Sequence, residues 1–281
     1  MSKKKTNKIN DSKIGEIINN MENQIHFDHQ APISGHLSFR EQYKFSDKQL
    51  KVLASMMYAD TKVVFVEGVS GTAKTFLSIF AALKLIDQKK CNKIMYVRSL
   101  AESASKSIGA LRGNISEKLG PFLLPLDEKM EEILHPQSQK RLKEENRIQG
   151  IPINFLRGAS IRNSCAIIDE AQDFTFEELV TVMTRIGEDT KFFVVGDPMQ
   201  SDIGRRSGFA KMIELFNDDE SVSKGISYFK FTKEDIVRSG ILRFIMERIE
   251  NGPKKESMFD DYSIYHQRYP QNENTDIKSN N

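Results

Sequence analysis

Five short runs rich in β-branched and aromatic residues recur along the chain, at 62–67, 93–98, 165–169, 191–196 and 226–231, with amphipathic stretches between most of them. Val63-Val64-Phe65-Val66 and Phe192-Phe193-Val194-Val195 are continuous apolar tetrads without polar alternation. That pattern predicts strands buried on both faces, as in a parallel sheet. The intervening segments repeat apolar residues at spacings of three and four: Phe76, Ile79, Phe80 and Leu83, then Phe176, Leu179, Val180 and Met183, then Val237, Ile241, Phe244, Ile245 and Ile249. These stripes read as core-facing sides of helices. Parallel strands need crossover connections, so the alternation predicts an α/β sandwich, a parallel sheet with helices on both faces.

The pattern occupies residues 45–250 of the 281, which we read as one domain. Residues 1–44 read as a flexible polar and basic arm, with Lys3, Lys4, Lys5, Lys8 and Lys13 among Asn and Ser, then Pro32, Gly35 and several His. The lysines fit a solvated terminus better than a nucleic-acid contact. Residues 251–281 follow Asn251-Gly252-Pro253 and read as a polar, disordered tail. Within the domain, residues 114–149 are charged and interrupted by Pro121 and Pro125, and read as a helical insertion. Forty-one Lys and Arg against thirty-nine Asp and Glu leave a net charge of +2, so any basic track must be local. No apolar run approaches the ~18–20 residues of a membrane span, and no membrane partner is expected. Met1-Ser2-Lys3-Lys4-Lys5 has no apolar stretch behind it, and Cys91 and Cys165 lack metal or disulfide-framework spacing, so a cytoplasmic location is expected.

The first strand runs into Gly68-Val69-Ser70-Gly71-Thr72-Ala73-Lys74-Thr75 and then an apolar helix. A strand, a glycine-containing loop and a helix N-terminus aim consecutive backbone N–H groups at one point, where the helix adds roughly half a positive charge. The backbone of Gly68, Val69, Ser70, Gly71, Thr72 and Ala73 is the candidate phosphate cradle. Lys74 can reach the β- and γ-phosphates, and the Thr75 hydroxyl can hold Mg²⁺. Ala73 stands where glycine is usual, so that position must use a geometry a Cβ tolerates, or the wrapping loosens. The plainer alternative is a strand–helix turn with a surface lysine.

A second apolar strand ends in Asp169-Glu170-Ala171-Gln172. Carboxylates at a strand's C-terminal end lie on the ligand-binding edge of an open sheet. Asp169 is placed to hold Mg²⁺ and Glu170 to polarise an attacking water, with a cation relieving their mutual repulsion. The alternative is an acidic cap for the helix that follows. A third strand ends in Gly196-Asp197-Pro198-Met199-Gln200-Ser201-Asp202. Taken alone this is a turn, but beside the other two strand ends Gln200 becomes a candidate sensor of the γ-phosphate. Phe45-Ser46-Asp47-Lys48-Gln49 opens a helix, and Gln49 can read adenine through its amide. Arg98, Arg157, Arg185, Arg205, Arg206 and Arg238 fall near strand ends or helix starts. Arg205 and Arg238 are the preferred candidates for stabilising charge on a transferring phosphoryl group.

These motifs, together with Met183-Thr184-Arg185-Ile186-Gly187 and Glu234-Asp235-Ile236-Val237-Arg238, resemble the PhoH-like proteins, the phosphate-starvation-inducible ATPase type, in the compact form found in phages. The resemblance covers about residues 45–250. It implies a RecA-like P-loop NTPase core related to superfamily 1 helicases, with ATP and Mg²⁺ as cofactors and RNA or single-stranded nucleic acid as partner. On matching positions it makes Lys74 and Thr75 the phosphate and metal residues, Asp169 and Glu170 the metal and water residues, and Gln200 the phosphate sensor. Departures are Ala73 for glycine, Asp173 where Asn is usual, and Arg98-Ser99 for an Arg-Pro pair. Neither a nuclease domain nor a separate RNA-binding domain is apparent.

The first functional reading is an ATPase whose in-line hydrolysis changes its grip on nucleic acid. A helicase closes ATP between two such cores, so unwinding by this chain calls for a homo-oligomer, a ring or other self-association, with a neighbour supplying the arginine. The alternative is a nucleotide-dependent regulatory module that hydrolyses slowly. The adjacent acid pair argues against a small-molecule kinase, which excludes an activated water. Asn92-Lys93 is followed by Ile94-Met95 and is no guanine reader.

Overall fold

The computed structural model describes residues 31–40, 43–99, 115–153, 156, 160–237 and 240–250. Six strands, β1 (Val63–Glu67), β2 (Lys93–Arg98), β3 (Ile148–Pro152), β4 (Ser164–Ile168), β5 (Lys191–Gly196) and β6 (Ile226–Lys230), form one sheet. Their order is β3-β2-β4-β5-β1-β6, and every neighbouring pair is parallel. The helices are α1 (Asp47–Met57), α2 (Lys74–Asp87), α3 (Ile115–Ile133), α4 (Pro136–Glu144), α5 (Phe176–Met183), α6 (Phe209–Phe216) and α7 (Asp219–Ser223). The expected α/β sandwich around a parallel sheet is the observed one.

Alternate strand residues serve the two layers. Val64, Val66, Tyr96, Ile167 and Val195 pack with side chains of α1, α2 and α3. Val63, Phe65, Val97, Ile168 and Val194 pack with Leu179 and Val182 of α5 and Phe209, Met212 and Ile213 of α6. Burial on both faces is what removes polar alternation from the strands.

Three expectations need correcting. Residues 114–149 are not wholly helical: α3 and α4 are followed by β3, which begins at Ile148. β3 is an edge strand whose first three residues are only half-buried, and its Ile-Gln-Gly-Ile-Pro carries no continuous apolar run. Both prolines read as interruptions lie within the single helix α3. The polar arm does not extend to residue 44. Ile33 and Leu37 are buried, the Leu37 N–H donates to Asp87 Oδ1 at 2.6 Å, and the Ser38 N–H donates to Ser138 Oγ at 2.8 Å. The buried Arg147 guanidinium donates to the Ala31 carbonyl at 2.9 Å, so residues 31–40 are part of the folded body.

A second compact unit begins at Arg238 and contains helix α8 (Gly240–Glu250), in which the Arg248 guanidinium lies 5.2 Å from the Phe244 ring centroid. The rest of the expected arm, residues 1–30, and the expected tail lie outside the described residues. No helix among the described residues is long and apolar enough to cross a membrane.

Candidate nucleotide and metal site

β1 leaves the sheet between β5 and β6, and the loop that follows is held from both sides. The Gly68 N–H donates to Gly196 O at 3.1 Å, and the Phe231 N–H to Glu67 O at 2.7 Å. A Cβ on Gly68 would lie 2.6 Å from Phe231 Cβ, so close approach of β6 requires glycine there. The Thr72 hydroxyl closes the loop by donating to Val69 O at 2.8 Å. Helix α2 then starts at Lys74 with no side-chain cap, leaving its first-turn N–H groups facing the loop's concavity. Ala73 adopts φ 68°, ψ 23°, the left-handed region. The chain accepts a cost of about 1–2 kcal/mol for a Cβ there and keeps the tight turn, rather than relaxing into a geometry comfortable for alanine.

Lys74 Nζ donates to the carbonyls of Gly68 and Val69 at 2.6 and 3.0 Å. Burial lowers the pKa of its ammonium, while the charges of Asp197, Glu170 and Asp169 push it up again. Across the sheet edge, the Thr75 hydroxyl donates to Asp169 Oδ1 at 2.8 Å, and the buried Tyr96 hydroxyl donates to Asp169 Oδ2. Asp169 is 3% exposed. Burial and the charge of Glu170 raise its pKa, opposed by the Tyr96 and Thr75 hydroxyls.

Glu170 turns away from the strand in a left-handed conformation (φ 52°). Its Oε2 accepts from Gln172 Nε2 at 2.8 Å, and its Oε1 lies 3.9 Å from Arg98 Nη2. Gln172 Oε1 in turn accepts the Asp197 N–H at 2.8 Å, and Ser201 Oγ donates to Gln172 O at 2.9 Å. One amide thus ties the acid pair to the end of β5. The cap reading of Asp169-Glu170 fails, because α5 is capped by Thr175 in a reciprocal box with Glu178.

The structure brings together Lys74, Thr75, Asp169 and Glu170. It adds three residues that sequence reasoning left out of the site: Tyr96, Gln172 and Asp197. Asp197 is buried at the tip of β5, and burial raises its pKa, partly offset by the Met199 N–H and the charge of Lys74. Its Oδ1 accepts the Met199 N–H at 3.0 Å and the Ser70 N–H of the glycine loop also favours its charged form, whereas its buried Oδ2 has no hydrogen-bond partner of good geometry. Gln200 lies exposed on the turn Pro198–Gln200 capped by Asp197, and Arg205 exposed on the turn Gly204–Arg206. Arg238 and Arg157 lie outside the described residues. Arg98, weighed with the other arginines, is the one that reaches the acid pair.

Gln49 is 2% exposed and occupied at both ends: Oε1 accepts the Ser46 N–H at 3.0 Å in the capping box of α1, and Nε2 lies 3.5 Å from Thr72 O. It braces the loop from beneath, and reading a base would require both contacts to be given up. Phe231 is buried, and the half-buried Tyr228 donates its hydroxyl to Glu67 Oε2 at 2.6 Å.

The residues fit a Mg²⁺ ion held jointly with phosphates. Among the described residues no group of three or more His, Cys, Asp and Glu is arranged to hold a metal alone. Mg²⁺ typically takes one or two carboxylates and completes its shell with phosphate and water. Thr75 with Asp169 supplies the protein side, and the unpartnered Asp197 Oδ2 is an acceptor suited to a water of such a shell.

A parallel sheet whose glycine loop, Lys-Thr helix start and acidic strand end converge on one edge defines the P-loop NTPase class. The chain belongs to the PhoH-like protein family, which matches residues 43–250. The PhoH-like protein of Synechocystis sp. is 32% identical over 190 residues, 67% of this chain and 56% of that protein. The PhoH-like protein of Bacillus subtilis is 31% identical over 201 residues, 71% and 61% of the two chains, and protein PhoH of Escherichia coli K12 is 32% identical over 184, 64% and 51%. The matches thus span little more than half the length of these curated relatives. The large terminase of a thermophilic bacteriophage superposes with a TM-score of 0.45 at 15% identity, covering 75% of this chain and 51% of that one. The same terminase in complex with ADP superposes at 0.44, also at 15% identity, covering 74% and 51%.

Proposed function

We propose that the protein hydrolyses ATP with Mg²⁺ at this edge and couples hydrolysis to binding RNA or another single-stranded nucleic acid. The observation that carries the reading is the Thr75–Asp169 contact at 2.8 Å, which sets a metal-binding hydroxyl against a buried carboxylate directly below the glycine loop. Backbone N–H groups of residues 69–73 receive the phosphates, the Gly68 N–H being engaged by Gly196 O. Lys74 exchanges the carbonyls of Gly68 and Val69 for phosphate oxygens, an ammonium moving from neutral to anionic acceptors. A Mg²⁺ held by Thr75 and Asp169 would supply neutralisation of the phosphate charge. Glu170, held by Gln172 and facing Arg98, takes the proton of the attacking water, while Asp169 has both oxygens engaged by hydroxyls. Gln172 links Glu170 to Asp197, so a change at the γ-phosphate is felt by the turn bearing Gln200. That turn is the element we assign to nucleic-acid coupling, with a homo-oligomer completing the arginine complement. Lack of stimulation by nucleic acid would favour instead the slow regulatory ATPase.

The test is ATP turnover by wild type and Lys74→Ala, with and without single-stranded RNA. Loss of a transition-state charge contact lowers the rate by about 10²–10³-fold. Equal turnover by the two proteins refutes the assignment.

A further inference from the structure

We propose that Tyr96 is a positioning residue for the metal carboxylate, fixing which oxygen of Asp169 is offered to the divalent cation. The inference rests on the nucleotide-and-metal reading above and names a residue that the P-loop motifs do not contain. Tyr96 sits on β2 with its ring fully buried beneath α2, where phenylalanine would pack equally well. Its hydroxyl is spent on Asp169 Oδ2, while Thr75 at the start of α2 holds Oδ1. β2 and β4 are paired in register at Tyr96↔Ile167, so the donor comes from a rigid neighbouring strand and not from a loop. The carboxylate is therefore clamped between strand and helix. With Oδ2 engaged from the neighbouring strand, Oδ1, which accepts the hydroxyl of the metal-binding Thr75, is the oxygen whose remaining lone pair can share in the cation's shell. Partners that orient a metal-binding carboxylate commonly contribute about 10–100-fold to metal affinity.

The experiment compares full-length wild type and Tyr96→Phe, using Mn²⁺ as the probe. Free Mn²⁺ is followed by electron paramagnetic resonance in the presence of saturating ADP, and ADP binding in EDTA is followed by calorimetry. Tyr96→Phe is expected to weaken Mn²⁺ binding by about 10–100-fold while leaving ADP affinity in EDTA unchanged. In an Asp169→Asn background the same substitution is expected to cost nothing further, whereas general structural damage would still add its full effect. Unchanged Mn²⁺ affinity in Tyr96→Phe, or a full additional loss in the Asp169→Asn background, overturns the proposal. Wild type that takes up no Mn²⁺ with ADP overturns the parent reading, and the proposal with it.

Discussion

At Asp169 the fold holds a charge that burial disfavours. The carboxyl is raised above its usual range by burial and by Glu170, and Asp197 and Asp173 are raised by burial too. A carboxyl whose folded pKa exceeds its unfolded value binds its proton more tightly when folded. Its destabilising effect is full above the raised folded value, shrinks as pH falls through that value, and is gone below the ordinary value near about 4. Asp169→Asn is therefore expected to raise Tm by a few degrees at neutral pH and to abolish Mg²⁺-dependent turnover. The gap in Tm between the two proteins should close as pH approaches about 4. Thermal melts of both across that range check it, and a variant less stable than wild type at neutral pH, or a gap that widens on acidification, contradicts the account. Ala73 tells the same story in backbone terms, since its left-handed geometry is a local cost kept at the turn proposed to receive phosphate.

Among the elements, β5 and the segment 31–40 decide what the site rests on. β5 lies between β1 and β4, so its tip carries Asp197 into the space between the glycine loop and the acid pair. The segment 31–40 fastens α2 and α4 from outside through Leu37, Ser38 and Arg147. Because Leu37 is only 6% exposed, Leu37→Ala is expected to cost about 2–5 kcal/mol in urea unfolding. A change within about 0.5 kcal/mol, normal for an exposed position, would return the segment to the solvated arm its composition suggests. The sequence conceals this docking because Pro32, Gly35 and the scattered apolar side chains Ile33, Leu37 and Phe39 make no periodicity, and backbone hydrogen bonds leave no residue signature. β3 hides for a related reason, being half-buried at an edge with Gly150 and Pro152 inside it. β1, β2, β4 and β5 are legible because burial on both faces writes continuous apolar runs, whereas β6, a half-buried edge, is legible only from the β-forming residues Ile226, Tyr228 and Phe229. Asp169 and Glu170 are legible because they follow directly on such a run, and Lys74 and Thr75 because they close a glycine loop between such a run and an apolar helix. Tyr96 is not, since within Ile94-Met95-Tyr96-Val97 it reads as core, and only coordinates reveal where the hydroxyl points. Asp197 is ambiguous for a physical reason as well: it does cap its own turn, through Met199, while also facing Lys74.

At the scale of the whole molecule the open term is positive charge opposite the γ-phosphate. Arg98 is the described arginine that pairs with the acid box, and that pairing places it beside the carboxylate of the proposed base and not across from it. Arg205 sits on an exposed turn beyond β5, and in the proposed homo-oligomer it is the arginine assigned to a neighbouring copy's site. Such an arrangement is a head-to-tail contact, in which each subunit contributes a different surface and each site draws on two chains. Two variants with complementary defects then test it. The Arg205→Ala, Arg238→Ala protein keeps its glycine loop but lacks the donated arginines, and Lys74→Ala keeps the arginines but lacks the loop lysine. Each alone is expected to turn over ATP about 10²-fold or more below wild type. Mixed, they form composite sites with an intact loop from one subunit and intact arginines from the other, so turnover should rise well above the sum of the components and fall again on dilution. Light scattering of the same samples reports whether they associate. A mixture no more active than its parts, although the chains associate, or a wild-type monomer with full turnover, would mean that each chain stabilises the phosphoryl group unaided. Arg98 would then have to leave Glu170 and turn to the phosphate when nucleotide binds.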